Sequence, residues 1–208
     1  MDHATHLWLF FVLVAGIVLL PGLDMAFVLS SALGGGRRAG LSAVAGIVSG
    51  GACHVLVAAT GTAVLLQAFP AAFTLLLWAG ALYVGWLGLS LLRSGAGGLV
   101  PASDAGVSAA SVAFRRGALT NLLNPKAYLF MLAVFPQFLR PEYGPTWLQA
   151  LQLWAIIALT QAAVYGGLAL AADAARRGLV QRPRVGAAVG RGLGALLLGV
   201  ALLSVLST

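Results

Sequence analysis

From Ala39 to Leu92 the chain carries no Asp, Glu, Lys or Arg. A globular surface needs charge, and an ordinary soluble domain carries roughly 25% of it. Here only 8% of 208 residues are charged and 61% are apolar. Twelve basic and five acidic side chains cannot cover a water-facing surface. The same poverty suits a surface facing lipid. The net charge of +7 could point to nucleic acid, but the arginines sit between apolar runs and form no basic domain. They read as cytoplasmic anchors, and no nucleic-acid partner is expected.

The uncharged stretch is too long for one crossing, which takes about 20 residues. Gln67-Ala68-Phe69-Pro70 supplies a turn within it, so it divides into spans 41–66 and 71–92. Before them lies a run over 7–33, interrupted at Pro21-Gly22-Leu23-Asp24. After them comes a Gly/Ser/Ala-rich linker, 94–111, with Pro101 and Asp104. A fourth run, 117–139, is interrupted at Asn124-Pro125-Lys126, and runs over 147–172 and 186–206 complete the set. The fold class expected is all-α, a polytopic membrane protein of about six transmembrane helices. The N-terminus lacks the basic region of a secretory signal, so the first run is expected to be retained.

The charges orient these spans. Arg37 and Arg38 follow the first, Arg93, Arg115 and Arg116 follow the third, and Arg176, Arg177, Arg182, Arg184 and Arg191 follow the fifth. Loops on the other side hold only Arg140. By the positive-inside rule the arginine-rich loops are cytoplasmic and both termini face outward.

The two interruptions each open a group of three spans, and three is odd. The halves therefore cross in opposite directions, as two inverted repeats: about 1–93 and about 115–208, joined by a linker over 94–114 within one transmembrane domain, 1–208. Both breaks fall near mid-depth. Pro125 lies nine residues past Arg116 and Asp24 thirteen before Arg37, roughly 14 and 20 Å of helix. Residues 19–29 and 122–132 share Leu-Leu and then Phe and Leu at the same offsets, although apolar sequence yields such matches by chance. Paired breaks in inverted halves are the sequence pointer to a transporter site near the midplane. Proline frees backbone groups that only protein or a wet cavity can satisfy at that depth. The restarted half-helices present amides and a positive dipole end to a carboxylate. The bland alternative is two proline kinks with no ligand.

These same segments resemble the LysE/RhtB family of amino-acid exporters. Pro21-Gly22-Leu23-Asp24 is similar to that family's Pro-Gly-Pro-acidic motif. Gly40 to His54 resembles its glycine-rich second helix, and Gly80 to Gly88 its third. Phe114 to Lys126, ending Asn124-Pro125-Lys126, resembles its entry to the fourth helix, and Phe135-Pro136-Gln137-Phe138 is similar too. Leu23 departs from the family pattern by replacing a second proline, which predicts a softer first break. The resemblance implies a secondary transporter in a bacterial-type inner membrane. It would export a small amino acid or derivative, threonine- or homoserine-like or otherwise neutral, by proton antiport and without a cofactor. A homodimer is an assembly left open.

Within that expectation Pro21, Gly22 and Pro125 shape the breaks. Asp24 and Lys126 are the two charged residues deep in the membrane, where such residues are functional candidates. Asp24 is expected to carry the coupling proton or to cap the restarted half-helix. Lys126 pairs with Asp24, binds a substrate carboxylate, or snorkels to the cytoplasmic face. Asn121, Asn124 and Tyr128 share a helix face by spacing, for substrate or for hydrogen bonds between helices. His54, beside the Gly46/Gly50 packing face, reads first as a packed, hydrogen-bonded histidine and second as a proton relay. Gln161, Thr160 and Tyr83 are weaker site candidates. Cys53 reads as a small buried thiol.

Enzyme chemistry is not expected. Ser49 and His54 lack a Gly-x-Ser-Gly context, because Ile47 occupies the glycine position, and no His-Glu-x-x-His occurs. Gly34-Gly35-Gly36 follows no strand. The nearer alternative is metal-cation efflux on a similar architecture. It is weakened by the single deep carboxylate, since hard cations want several oxygens, and by the lone cysteine, since soft metals want clustered sulfur. A purely structural membrane subunit has no need of two broken helices.

Overall fold

A helix that meets proline cannot continue its ladder, and the chain breaks at both expected places. The computed structural model describes residues 2–59, 70–94, 106–180 and 183–206. The expected turn at 67–69, most of the linker and Arg182 lie outside them. The described helices are α1 (His3–Leu19), α2 (Leu23–Ala59), α3 (Pro70–Ser94), α4 (Gly106–Leu122), α5 (Pro125–Ala133), α6 (Thr146–Val180) and α7 (Pro183–Leu206). Two 3-10 turns, Phe135–Phe138 and Pro141–Tyr143, follow α5. No strand occurs among the described residues.

The outside of this bundle is apolar. Leu75 and Leu159 are each 71% exposed, and Trp8, Leu56, Leu82 and Trp147 are similarly bare. Monomeric proteins in water rarely expose apolar patches beyond a few hundred Å², whereas lipid solvates such surfaces without cost. Residues Thr146–Arg176 of α6 are long and apolar enough to cross a bilayer on their own. Cys53 sits on this exposed face, which corrects the buried thiol expected from its apolar neighbours. Its neighbour His54 points inward, and the helix turns about 100° between successive residues.

α1 begins under Asp2, whose carboxylate accepts the Thr5 N–H at 3.3 Å. Its buried positions His6, Phe10, Val14 and Val18 recur every fourth residue, so a single stripe faces the bundle. α1 stops because Leu20 precedes Pro21 and is pushed into extended backbone, φ −65° and ψ 121°. The chain resumes as helix at Leu23. The first break is therefore complete even without a second proline.

α2 is a hairpin of two helical limbs. Gly36 sits at φ 74°, a left-handed conformation that suits glycine, and reverses the chain. A Cβ at Gly40 would lie 2.8 Å from that of Ala32, so the limbs are in contact just past the turn. α6 closes the turn from outside. Asp173 accepts the Arg37 N–H at 2.9 Å, capping the second limb. Arg176 donates to the carbonyls of Leu33 at 3.1 Å and Gly34 at 3.3 Å, capping the first.

The second limb of α2 runs against α4, and the two approach backbone to backbone. A Cβ at Gly46 would overlap the Phe114 carbonyl, and one at Gly117 the carbonyl of Ala43. α3 meets α7 the same way, through Gly88 and Gly194. α6 lies along α1 and α2. Without a hydrophobic drive between helices in lipid, close approach through small residues supplies the association energy.

That contact can be tested. Gly46→Ala forces backbone apart and is expected to lower the thermal unfolding midpoint in detergent by the equivalent of ~1–3 kcal/mol. Gly16→Ala, where a Cβ meets nothing within 4 Å, is expected to leave the midpoint level or raise it, since alanine is the better helix former. Equal midpoints for the Gly46 variant and the parent would remove the close-approach argument.

Candidate functional site

Each proline leaves a carbonyl one turn earlier without its helical donor. For Pro125 that carbonyl belongs to Asn121. It accepts the Asn124 N–H at 3.0 Å and the Nε2 of His54, from α2, at 3.0 Å. A ring nitrogen facing a carbonyl must carry the hydrogen, so His54 is the donor. For Pro21 the carbonyl belongs to Ile17. The Lys126 ammonium donates to it at 3.0 Å and to the Leu20 carbonyl at 3.0 Å. Gly22 leaves the space, because a Cβ there would lie 3.2 Å from Lys126 Nζ. Each break is thus satisfied from the opposite half of the chain.

Between the breaks lies a buried cavity of about 40 Å³. Its polar wall is Asp24, His54, Asn121, Asn124, Lys126 and Gln161. Its apolar wall includes Val14, Ile17, Val18, Phe130, Met131 and Ile157, with Tyr165 alongside. At roughly 10–15 Å³ per water it has room for a few waters. Ligand pockets run from roughly 300 Å³, so the cavity in this conformation is smaller than an amino acid requires. Toward the start of α1, Phe10 packs tilted or edge-on against Phe130, Phe135 and Phe138 at centroid distances of 4.9 to 6.3 Å. His6 then bonds the Phe138 carbonyl at 3.1 Å.

Asp24 is 3% exposed. Its Oδ2 accepts the Asn121 amide at 2.9 Å, while Oδ1 has no partner. Asn124 uses its Oδ1 to cap α5 at the Lys126 N–H, 3.0 Å. Its Nδ2 lies beside the Asp24 carboxylate but outside hydrogen-bond geometry. The Asn121 Oδ1 and Gln161 Oε1 are also unpartnered. Buried polar atoms are nearly always satisfied, so four orphans on one small cavity describe a site awaiting a polar occupant.

The residues singled out by sequence divide as follows. Asp24, His54, Asn121, Asn124 and Lys126 converge on the cavity. Lys126 bonds the end of α1 and forms no ion pair with Asp24. Among the described residues the ion pair present is the exposed Arg140–Glu142, at 3.5 Å. Tyr128 shares the helix spacing but does not line the cavity. Its ring meets His54 edge-on at 4.6 Å. Pro21, Gly22 and Pro125 shape the breaks without lining the space. Thr160 bonds back to the Ile156 carbonyl at 2.7 Å. Gly51 and Tyr165 were not anticipated. The i, i+4 spacing of Gln161 and Tyr165 on α6 was the available signal.

The profile of the LysE type translocator family matches residues 10–208. An uncharacterized membrane protein of Vibrio cholerae is 33% identical over 200 residues, covering 95% of this chain and 96% of the relative. A leucine efflux protein of an Enterobacter species is 35% identical over 134 residues, 64% of each chain. A homoserine/homoserine lactone efflux protein of Salmonella typhimurium is 31% identical over 136 residues, 65% of this chain and 66% of the relative. No solved structure matches.

The cross-satisfied breaks predict a stability phenotype separate from any transport. Lys126→Met leaves the Ile17 and Leu20 carbonyls without their charged donor. It is expected to cost ~1–3 kcal/mol, read as a lower unfolding midpoint in detergent with no amino acid added. An unchanged midpoint would show that these bonds hold nothing together.

Proposed function

Because this chain belongs to the LysE family of translocators, a membrane-protein family, we propose that it exports a small neutral amino acid or derivative from the cytoplasm by proton antiport. The observation that carries this reading is the polar-walled cavity between two broken helices, with Asp24 and Lys126 on opposite breaks. The α-carboxylate of a substrate is directed to Lys126, the Asn124 amide and the start of α5, where charge and dipole favour it. Asp24 exchanges the coupling proton. The aliphatic wall of Val14, Ile17, Val18 and Phe130 receives a short apolar or weakly polar side chain, in keeping with relatives named for leucine and homoserine efflux.

The six spans are arranged as two inverted groups of three in the inner membrane, with both termini outside. Support comes from reciprocal packing: α2 with α4, α6 with α1 and α2, and α3 with α7. The Phe10 cluster then closes the outer side, and the glycine contacts around Gly46 and Gly117 close the inner one. Alternating access opens one of these at a time. Metal-cation efflux is not favoured, because Asp24 is the one carboxylate on the cavity wall and hard cations want several.

Vesicles containing the protein and loaded with a panel of amino acids test this reading. An imposed proton gradient is expected to drive uphill export of at least one neutral amino acid. Asp24→Asn is expected to abolish the gradient-driven component. Uphill export by that variant with unchanged pH dependence would remove the proton role from Asp24, and no flux of any amino acid would overturn the export reading.

A further inference from the structure

Three of the four orphaned atoms on the cavity are acceptors: Asp24 Oδ1, Asn121 Oδ1 and Gln161 Oε1. Their residues are 3%, 1% and 7% exposed, and they come from α2, α4 and α6. Gly51 ties two of them to one place. A Cβ built on Gly51 would lie 3.7 Å from Gln161 Oε1 and 4.0 Å from Asn121 Oδ1. The missing side chain therefore leaves an opening between these oxygens. Asn121 is held in this orientation because its Nδ2 donates to Asp24 Oδ2 at 2.9 Å, which turns its own oxygen away from the carboxylate.

We infer that Asp24 Oδ1, Asn121 Oδ1 and Gln161 Oε1, on the wall of one cavity, form a seat for the primary ammonium group of the substrate, beside the space that Gly51 leaves open. The inference rests on the export reading and adds to it which end of the substrate binds where. A primary ammonium has three donors and no acceptor, which matches three acceptors and one negative charge. A water has two donors and leaves one oxygen unsatisfied. The remaining orphan, Asn124 Nδ2, is the one donor among the four. A proton on Asp24 Oδ1 and an ammonium cannot share that oxygen, so loading one displaces the other. Gln161 enters as a specificity residue and Gly51 as its spacer.

The test uses the full chain in vesicles loaded with L-leucine, L-homoserine, L-threonine or L-alanine. For whichever is carried, its N-methyl derivative and its 2-hydroxy acid counterpart are compared with it. Each analogue lacks at least one of the three donors, and each is expected to lose about tenfold or more in flux at subsaturating concentration. Gly51→Ala places a methyl at ordinary contact distance from both oxygens, so the unfolding midpoint is expected to hold while KM rises by about tenfold. Gln161→Met is expected to do the same through loss of one acceptor. Analogues carried within twofold of the parent amino acid, or an unchanged KM for Gly51→Ala at an unchanged midpoint, would overturn the seat while leaving export intact. No flux of any of the four amino acids would overturn the export reading and the seat with it.

Discussion

The structure depends on what happens to the carbonyls that two prolines strip of their donors. In a low-dielectric surrounding an unpartnered backbone group is costly. The chain answers with Lys126, which reaches the end of α1, and His54, which reaches the end of α4. Lys126 and Ile17 are 109 residues apart in sequence. Each break therefore draws a donor from the other half of the chain. Each half supplies the donor that the other lacks, which welds the halves together at the depth where the cavity lies.

This arrangement explains why the cavity is polar on one side. The side chains that repair the breaks are drawn to the same few ångströms as the half-helix ends. Once His54, Lys126, Asn121 and Asn124 have met their backbone and side-chain partners, some of their capacity is left over. Asp24 Oδ1, Asn121 Oδ1 and Asn124 Nδ2 are that surplus, and Gln161 Oε1 joins them from α6. The residues that repair the breaks thus also line the cavity.

The glycines set how closely this can happen. Gly46 and Gly117 allow α2 and α4 to touch through backbone, and Gly88 and Gly194 do the same for α3 and α7. Gly22 has another task, clearing the path of Lys126. Gly36 is required by backbone conformation, and α6 locks its turn through Asp173 and Arg176. Tight helix contact lies on one side of the cavity and an aromatic cluster around Phe10 on the other. The first is broad backbone contact, and the second is a few rings that rotamer changes can displace.

The sequence by itself determined the solvent of this chain and the places where its helices fail. Charge poverty, a long uncharged stretch and proline are local properties, and each constrains the backbone wherever it occurs. The same locality explains why Asp24, Lys126, Asn121 and Asn124 stood out: a polar group in an apolar run is conspicuous without knowing its neighbours. Cys53 was misread for the opposite reason, since composition cannot tell which side of a helix meets lipid. Tertiary structure alone decided that Lys126 caps α1 and does not pair with Asp24, that Tyr128 packs on His54 outside the cavity, and that Gly51 lines the cavity while Gln161, a weaker candidate by sequence, lines it too. Hydrogen-bond partners and empty space are relations between segments distant in the chain. They exist only once helices with glycine faces have packed at one particular register.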